Sequence, residues 1–303
     1  MIDRRQTSFA VGTSGASGPT ASLMPDGKRL HLQHGPIDLV IGASGTAKEV
    51  GLAFQQAHNA FEPVLSDLVA ELGRLRSKDG PFPNGTVAQR MVQAISPLTA
   101  DFITPMAAVA GSVADHILVQ MIDGRTLTKA YVNNGGDIAL YLNEGRFRIG
   151  ICDDPVTGKP GGVVDISSED GIGGIATSGW RGRSHSLGIA DAVTVLASTA
   201  AAADAAATLI ANKVDLPFSP QISREPAFCL SPDSDLGDHL VTTHVGPLGA
   251  AETQVALSRG AELAKSYCAR GLITAAYLSL VGERRTIMAE KAHVKTLRNV
   301  AHA

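Results

Sequence analysis

The sequence predicts an α+β fold, with antiparallel or mixed sheet covered by helices. Three observations predict it. Strand-like and helix-like segments come in runs and do not alternate as they would in a doubly wound sheet. Two successive glycine turns, N-N-G-G-D (Asn133–Asp137) and N-E-G (Asn143–Gly145), separate short apolar segments. The stretch from Gly171 to Asn212 then runs from a glycine-rich turn through a strand into an alanine-packed helix with one carboxylate inside it.

The elements follow in order. Residues 1–22 are rich in Ser, Thr and Gly and read as a flexible arm. K-R-L-H-L-Q and I-D-L-V-I-G-A alternate around His34-Gly35-Pro36, so they read as two strands joined by a turn. Thr46 can cap a helix from Ala47 to Arg76, whose apolar residues (Val50, Phe54, Ala57, Phe61, Val64, Leu65, Leu68) recur three or four apart. Pro63 should kink or divide it. Lys78–Asn84 is a linker, and Val87–Ile95 a short helix. Thr104-Pro105 is a cap-then-proline start, and Ala107, Ala108, Ala110 and Gly111 allow close approach. Lys129–Val132, Ile138–Leu142 and Arg146–Cys152 read as an antiparallel meander, and Asp153–Gly162 as a loop. Lys213–Asp238 is polar and broken by proline, and Leu240–Val245 is a strand. Ala250–Cys268 is a helix with Val255, Leu257, Leu263 and Ala264 on its buried side. Leu272–Val281 is an internal strand, and the basic end (Arg284, Arg285, Lys291, Lys295, Arg298) reads as solvated. The expected organisation is one domain over 23–290, with room for two sub-lobes, followed by a tail over 291–303.

Composition excludes several classes. With 44% hydrophobic and 18% charged residues the chain has material for a sizeable core. A net charge of -3 gives no broad attraction for nucleic acid or an anionic membrane. Cys152, Cys229 and Cys268 are too widely spaced for a metal knuckle or a disulfide framework. The N-terminus has no apolar core after its basic residues, so no secretory signal is expected. A cytoplasmic protein is the expectation.

Four groups could carry chemistry. Asp204 and Thr208 are four apart in A-A-A-A-D-A-A-A-T and share a helix face. If buried, that carboxylate needs a partner, and a hard cation such as Mg²⁺ would supply one. The plain alternative is a solvent-exposed aspartate. Asn134, Gly135, Gly136 and Asp137 allow a ligand close to the main chain, and the same residues suit an ordinary hairpin. Thr177, Ser178 and Gly179 (A-T-S-G) follow G-I-G-G without the G-x-G-x-x-G spacing, so a phosphate-binding loop and a plain glycine loop both remain open. His185 lies in R-G-R-S-H-S with Arg181 and Arg183, guanidinium groups suited to a phosphate, and the bland alternative is a basic surface loop.

Several segments together resemble one family. P-M-A-A-V-A-G, N-N-G-G-D-I, A-T-S-G, S-H-S-L-G-I-A-D-A-V-T-V-L-A and A-A-A-A-D-A-A-A-T resemble, in order, the motifs of the uncharacterised ApbE-like family. This is a short cytoplasmic branch of the superfamily of FAD:protein FMN transferases, and the resemblance spans roughly residues 28–285. It implies that Asp204 and Thr208 match the pair that holds Mg²⁺ on the FAD pyrophosphate. It also implies that Gly135, Gly136, Asp137, Thr177, Ser178 and Gly179 line a flavin pocket. The activity implied is transfer of FMN from FAD to a hydroxyl of an acceptor protein, with Asp204 and His185 as catalytic candidates. A protein that keeps the pocket for another small molecule, without transfer, is the alternative. A homodimer is expected. The departures bear on the reaction: no lysine occurs in Val109–Ala114, and D-P-V-T-G-K-P (Asp154–Pro160) precedes A-T-S-G instead of following it.

Overall fold

A computed structural model describes residues 18–98, 102–154 and 158–290. Its first strands are β1 (Thr20–Leu23), β2 (Arg29–His34) and β3 (Ile37–Gly45). The long helix divides at Pro63, which offers no backbone N–H, into α1 (Ala47–Phe61), α2 (Val64–Ala70) and α3 (Leu72–Leu75). Thr46 caps α1, its hydroxyl accepting from Glu49 N–H at 3.3 Å. After α4 (Thr86–Ile95), a 3₁₀ turn at Pro105–Ala108 leads into α5 (Val109–Ile122). Four strands follow: β4 (Leu127–Asn134), β5 (Asp137–Leu142), β6 (Arg146–Asp154) and β7 (Lys159–Ser167). The stretch that begins at Gly171 forms β8 (Gly174–Ser178), β9 (Ala192–Ala197) and α6 (Ala200–Lys213). The chain closes with β10 (Ile222–Pro226), α7 (Ala227–Leu230), β11 (Leu240–Val245), α8 (Ala250–Ala269), β12 (Ala275–Leu280) and β13 (Glu283–Met288).

Nine strands form one sheet in the order β1-β2-β3-β4-β5-β8-β9-β12-β13, and every neighbouring pair is antiparallel. The period of two sorts its side chains. Val193, Val195 and Ala197 of β9, with Ala276 and Leu278 of β12, pack with residues of α6 and α8. Leu196 and Tyr277 join Ile151, Val164 and Ile166 of the β6–β7 pair in a separate cluster. A third cluster joins α1, α4 and α5 to β2, β3 and β4. The α+β architecture is therefore as expected, with helices covering an antiparallel sheet.

Five local expectations are corrected. First, β6 does not continue the meander; it pairs with β7 as a separate two-stranded sheet, while β8 takes the free edge of β5. The expected loop at Asp153–Gly162 is in large part the ends of those two strands. Second, A-T-S of A-T-S-G is strand β8, not loop, because Ile175 and Ala176 are buried on opposite faces of the sheet. Third, Val255 is 54% exposed, while Leu257 and Ala264 are buried. Fourth, Thr20, Ala21 and Ser22 of the expected arm pair with β2, and Lys213–Asp238 includes β10 and α7. Fifth, Arg284 is not solvated tail; its guanidinium on β13 pairs with the buried Asp153. Lys291, Lys295 and Arg298 lie outside the described residues.

Candidate functional site

The site is built where two helices begin against each other. Gly111, in the first turn of α5, touches the first residues of α6: a side chain there would overlap the Ala200 carbonyl and come within 2.7 Å of Ala201 N. At that distance each helix can cap the other. Asp115 of α5 accepts from Ala200 N–H at 3.0 Å and Ala201 N–H at 2.9 Å. Asp204 of α6 accepts from Gly111 N–H at 2.9 Å. Both carboxylates thus sit at helix N-termini, where the unpaired N–H groups favour negative charge. Asn134, buried at the end of β4, donates to the Ala110 carbonyl at 3.1 Å and ties the hairpin to the same helix start.

The N-N-G-G-D turn folds as its residues dictate. Gly135 and Gly136 take positive φ, and Asn133 Oδ1 accepts from Gly136 N–H at 2.8 Å. The β5–β8 ladder ends at Ile138↔Ile175, and beyond it the Asp137 side chain accepts from Thr177 N–H at 3.3 Å. Thr177 Oγ1 lies 2.8 Å from Thr194 Oγ1. This places Asp137 beside Asp204, and the two acids act on one another. Burial first, then the charge of Asp137, push the Asp204 carboxyl well above the ordinary carboxylate range. Burial pushes Asp137 up to about 7, against the opposing Thr177 N–H and Arg183 charge. Burial also raises Asp115. The two side-chain charges that weigh most on Asp204, those of Asp137 and Asp115, are both negative.

This arrangement fits a divalent cation. Two partly buried carboxylates that repel each other would ionise together once a positive charge stood between them. Thr208, partly buried, follows Asp204 by one turn on the same face of α6. Among the described residues no three His, Cys, Asp or Glu side chains converge into a closed metal cage. An ion here would therefore complete its shell with hydroxyl, carbonyl, water or ligand oxygens, as Mg²⁺ commonly does.

A family model described as AbpE bacteria matches residues 21–286. The chain belongs to that family. Among its relatives, the UPF0280 protein of Methanosphaerula palustris is 39% identical over 137 residues, 44% of this chain and 55% of that protein. The UPF0280 protein of Methanothermobacter thermautotrophicus is 37% identical over 117 residues, 38% of this chain and 44% of that one. The matched part thus spans about half the length of these curated relatives. Among solved structures, the apo flavinyl transferase ApbE of Pseudomonas stutzeri aligns over 90% of this chain and 94% of its own, at 12% identity and a TM-score of 0.41.

In this AbpE-family chain the residues singled out from sequence divide into two groups. Asp204, Thr208, Asn134, Gly135, Gly136, Asp137, Thr177 and Arg183 lie on elements that meet at the start of α5 and α6 or at the hairpin turn facing it. Ser178 is the last residue of β8 and partly buried. Gly179 packs against backbone, 2.5 Å from the Asp191 carbonyl at its would-be Cβ. Arg181 is engaged: its Nε donates to Asp191 at 2.9 Å and its guanidinium lies 4.9 Å over the Trp180 ring. His185 is exposed and, among the described residues, makes no hydrogen bond or ion pair. The sequence showed Gly111 as a point of close approach but gave no sign of Asp115 or Asp191. Gly111 and Asp115 stand one helical turn apart, a spacing that signals a shared face but does not say what the face meets.

Among the described residues one helical stretch, Pro105–Ile122, is 18 residues with mean hydropathy 1.3, long and apolar enough to cross a membrane by length and composition alone. Gly111–Asp115, Ile117, Leu118 and Met121 are buried against other elements, so here it is a core helix.

Proposed function

We propose that this chain binds a flavin nucleotide, FAD or FMN, or a related phosphorylated ligand, together with Mg²⁺. The observation that carries the reading is the Asp137–Asp204 pair: burial holds both carboxyls above their ordinary range, and the charge of Asp137 raises Asp204 further. Asp204 and Thr208 would hold the ion, with Asp137 facing it. Gly135 and Gly136 leave the main chain open to a ligand, and Arg183 brings a guanidinium beside the turn for a phosphate. The flavin part of the reading comes from family membership and the ordered motifs.

The reaction proposed is transfer of FMN from FAD to a Thr or Ser hydroxyl of an acceptor protein: the hydroxyl oxygen forms a phosphoester with the FMN phosphorus, the pyrophosphate bond breaks, AMP leaves and the hydroxyl proton passes to solvent. Mg²⁺, when bound, would neutralise the charge developing on the leaving phosphate. The chain's own residues orient the ligand: Asn133 and Asn134 fix the turn, Thr177 N–H fixes Asp137, and Gly111 N–H fixes Asp204. His185, at an exposed loop tip, would meet an arriving acceptor before the buried acids do. Incubation with FAD, Mg²⁺ and a threonine-bearing acceptor should add the mass of FMN less one water to the acceptor, and Asp204→Ala should abolish the addition. A cytoplasmic location and a homodimer belong to the same proposal, and native mass spectrometry reads the second directly.

A second reading keeps the pocket without transfer. Gly111–Ala114, in the segment where the flavin transferases carry a lysine, are all buried and carry no ionisable group. Flavin bound tightly, with no mass added to any acceptor tested, would favour that reading.

A further inference from the structure

The loop between β8 and β9 is pinned at both ends and exposed at its tip. At one end Asp191 accepts from Trp180 Nε1 at 3.3 Å, Arg181 Nε at 2.9 Å and Val281 N–H at 2.6 Å. At the other end Asn212 Oδ1 accepts from Ser186 Oγ at 3.2 Å and Leu187 N–H at 3.0 Å. Between the anchors, Arg183 turns back onto the N-N-G-G-D turn. Its Nη2 occupies the position a side chain would take on Gly135. Gly135 has φ +64, so the same residue gives the turn its left-handed step and the guanidinium its seat. From there the charge of Arg183 acts on Asp137 and opposes the rise that burial causes.

Resting on the metal-and-nucleotide reading above, we propose that Arg183, seated on the turn that precedes Asp137, is the internal counter-ion of that acid. From its seat on Gly135, the charge of Arg183 favours the ionised form of Asp137, as a bound cation would. When the cation arrives, the guanidinium moves to the ligand's phosphate. Arg183 is thus a positioning residue that makes metal and nucleotide bind as a set. A cation alone must compete with it, whereas a cation carrying a phosphate gives it a new partner. Arg181 cannot share this task, because Asp191 and Trp180 already hold it.

The geometry predicts effects of opposite sign from one substitution. Without nucleotide, Arg183→Met should bind Mn²⁺ more tightly than the wild type. The change should be on the order of ten-fold, the scale of one unit charge near a partly screened pair. With Mg²⁺ present, the same variant should bind FAD more weakly. Arg183→Lys should stay near the wild type in Mn²⁺ affinity, because it keeps the charge. The full chain is titrated with Mn²⁺, and free ion is followed by electron paramagnetic resonance. Arg183→Gln gives the same neutralisation if the methionine variant does not fold. Equal Mn²⁺ affinity in wild type and neutral variant would overturn the counter-ion role and leave the metal site standing. No Mn²⁺ bound by either protein would overturn both.

Discussion

Asp204 and Asp137 are uncomfortable in the ligand-free protein for a reason visible atom by atom. Asp204 accepts from the backbone N–H groups of Gly111 and Ala110 and Asp137 from that of Thr177, yet burial outweighs these donors and the charge of Asp137 adds to the negative potential at Asp204. The sign of the resulting pH dependence follows. A carboxyl whose folded pKa is raised contributes stability that is complete below the ordinary value of 3.8 and is lost as pH rises through its folded value, about 7 for Asp137. The metal-free protein should therefore melt at a lower temperature at about pH 8 than at about pH 5, and Mg²⁺ should recover the difference. Asp137→Asn should flatten the slope and remove the Mg²⁺ response. Scanning calorimetry at the two pH values, with and without Mg²⁺, reads all three. A melting temperature indifferent to both pH and Mg²⁺ would mean that the two acids do not share a site.

At the scale of elements, the account depends on α5 and α6 touching at Gly111. An alanine inside a helix normally gains about 1 kcal/mol over glycine. Here the added methyl meets the Ala200 carbonyl, backbone that α6 cannot withdraw without losing its packing on the sheet. Overpacking of this kind costs about 1–3 kcal/mol, so Gly111→Ala should be destabilising overall. It should also weaken Mg²⁺ binding, because Asp204 takes its hydrogen bond from that residue. Asp115→Ala leaves two N–H groups of α6 without an acceptor and should cost about 1–3 kcal/mol in urea unfolding. The sequence showed part of this junction. Thr104-Pro105, the small residues to Gly111 and the A-A-A-A-D-A-A-A-T helix were all legible from spacing. The reciprocal capping was not, since a helical period shows which residues share a face and never which element they face. Likewise R-G-R-S-H-S offered two equal arginines, and only the position of Asp191 separates the held Arg181 from Arg183.

At the scale of the whole molecule, the strand pairs read best were those joined by tight turns. The β2–β3 hairpin at His34-Gly35-Pro36 and the β4–β5 hairpin at N-N-G-G-D were both legible for that reason. The departure of β6 from the main sheet was not legible. Phe147, Ile149 and Ile151 alternate in the same way whichever sheet they enter. What docks the β6–β7 pair is non-local: Tyr277 Oη donates to Asp153 at 2.5 Å and lies 3.2 Å from the Gly161 carbonyl, and Arg284 pairs with the same Asp153. Tyr277→Phe should cost about 1 kcal/mol, the net worth of an ordinary hydrogen bond, while Arg284 keeps Asp153 paired. Denaturant unfolding checks this, and flavin affinity should not move with it. The most direct test of the central claim is calorimetric titration of the wild type and Asp204→Asn with FAD, in Mg²⁺ and in chelator. The account predicts binding in Mg²⁺ that weakens by about ten-fold or more in chelator or in the variant, the scale set by losing one charge-assisted contact. FAD affinity that is absent, or unchanged by both chelation and the substitution, would contradict it.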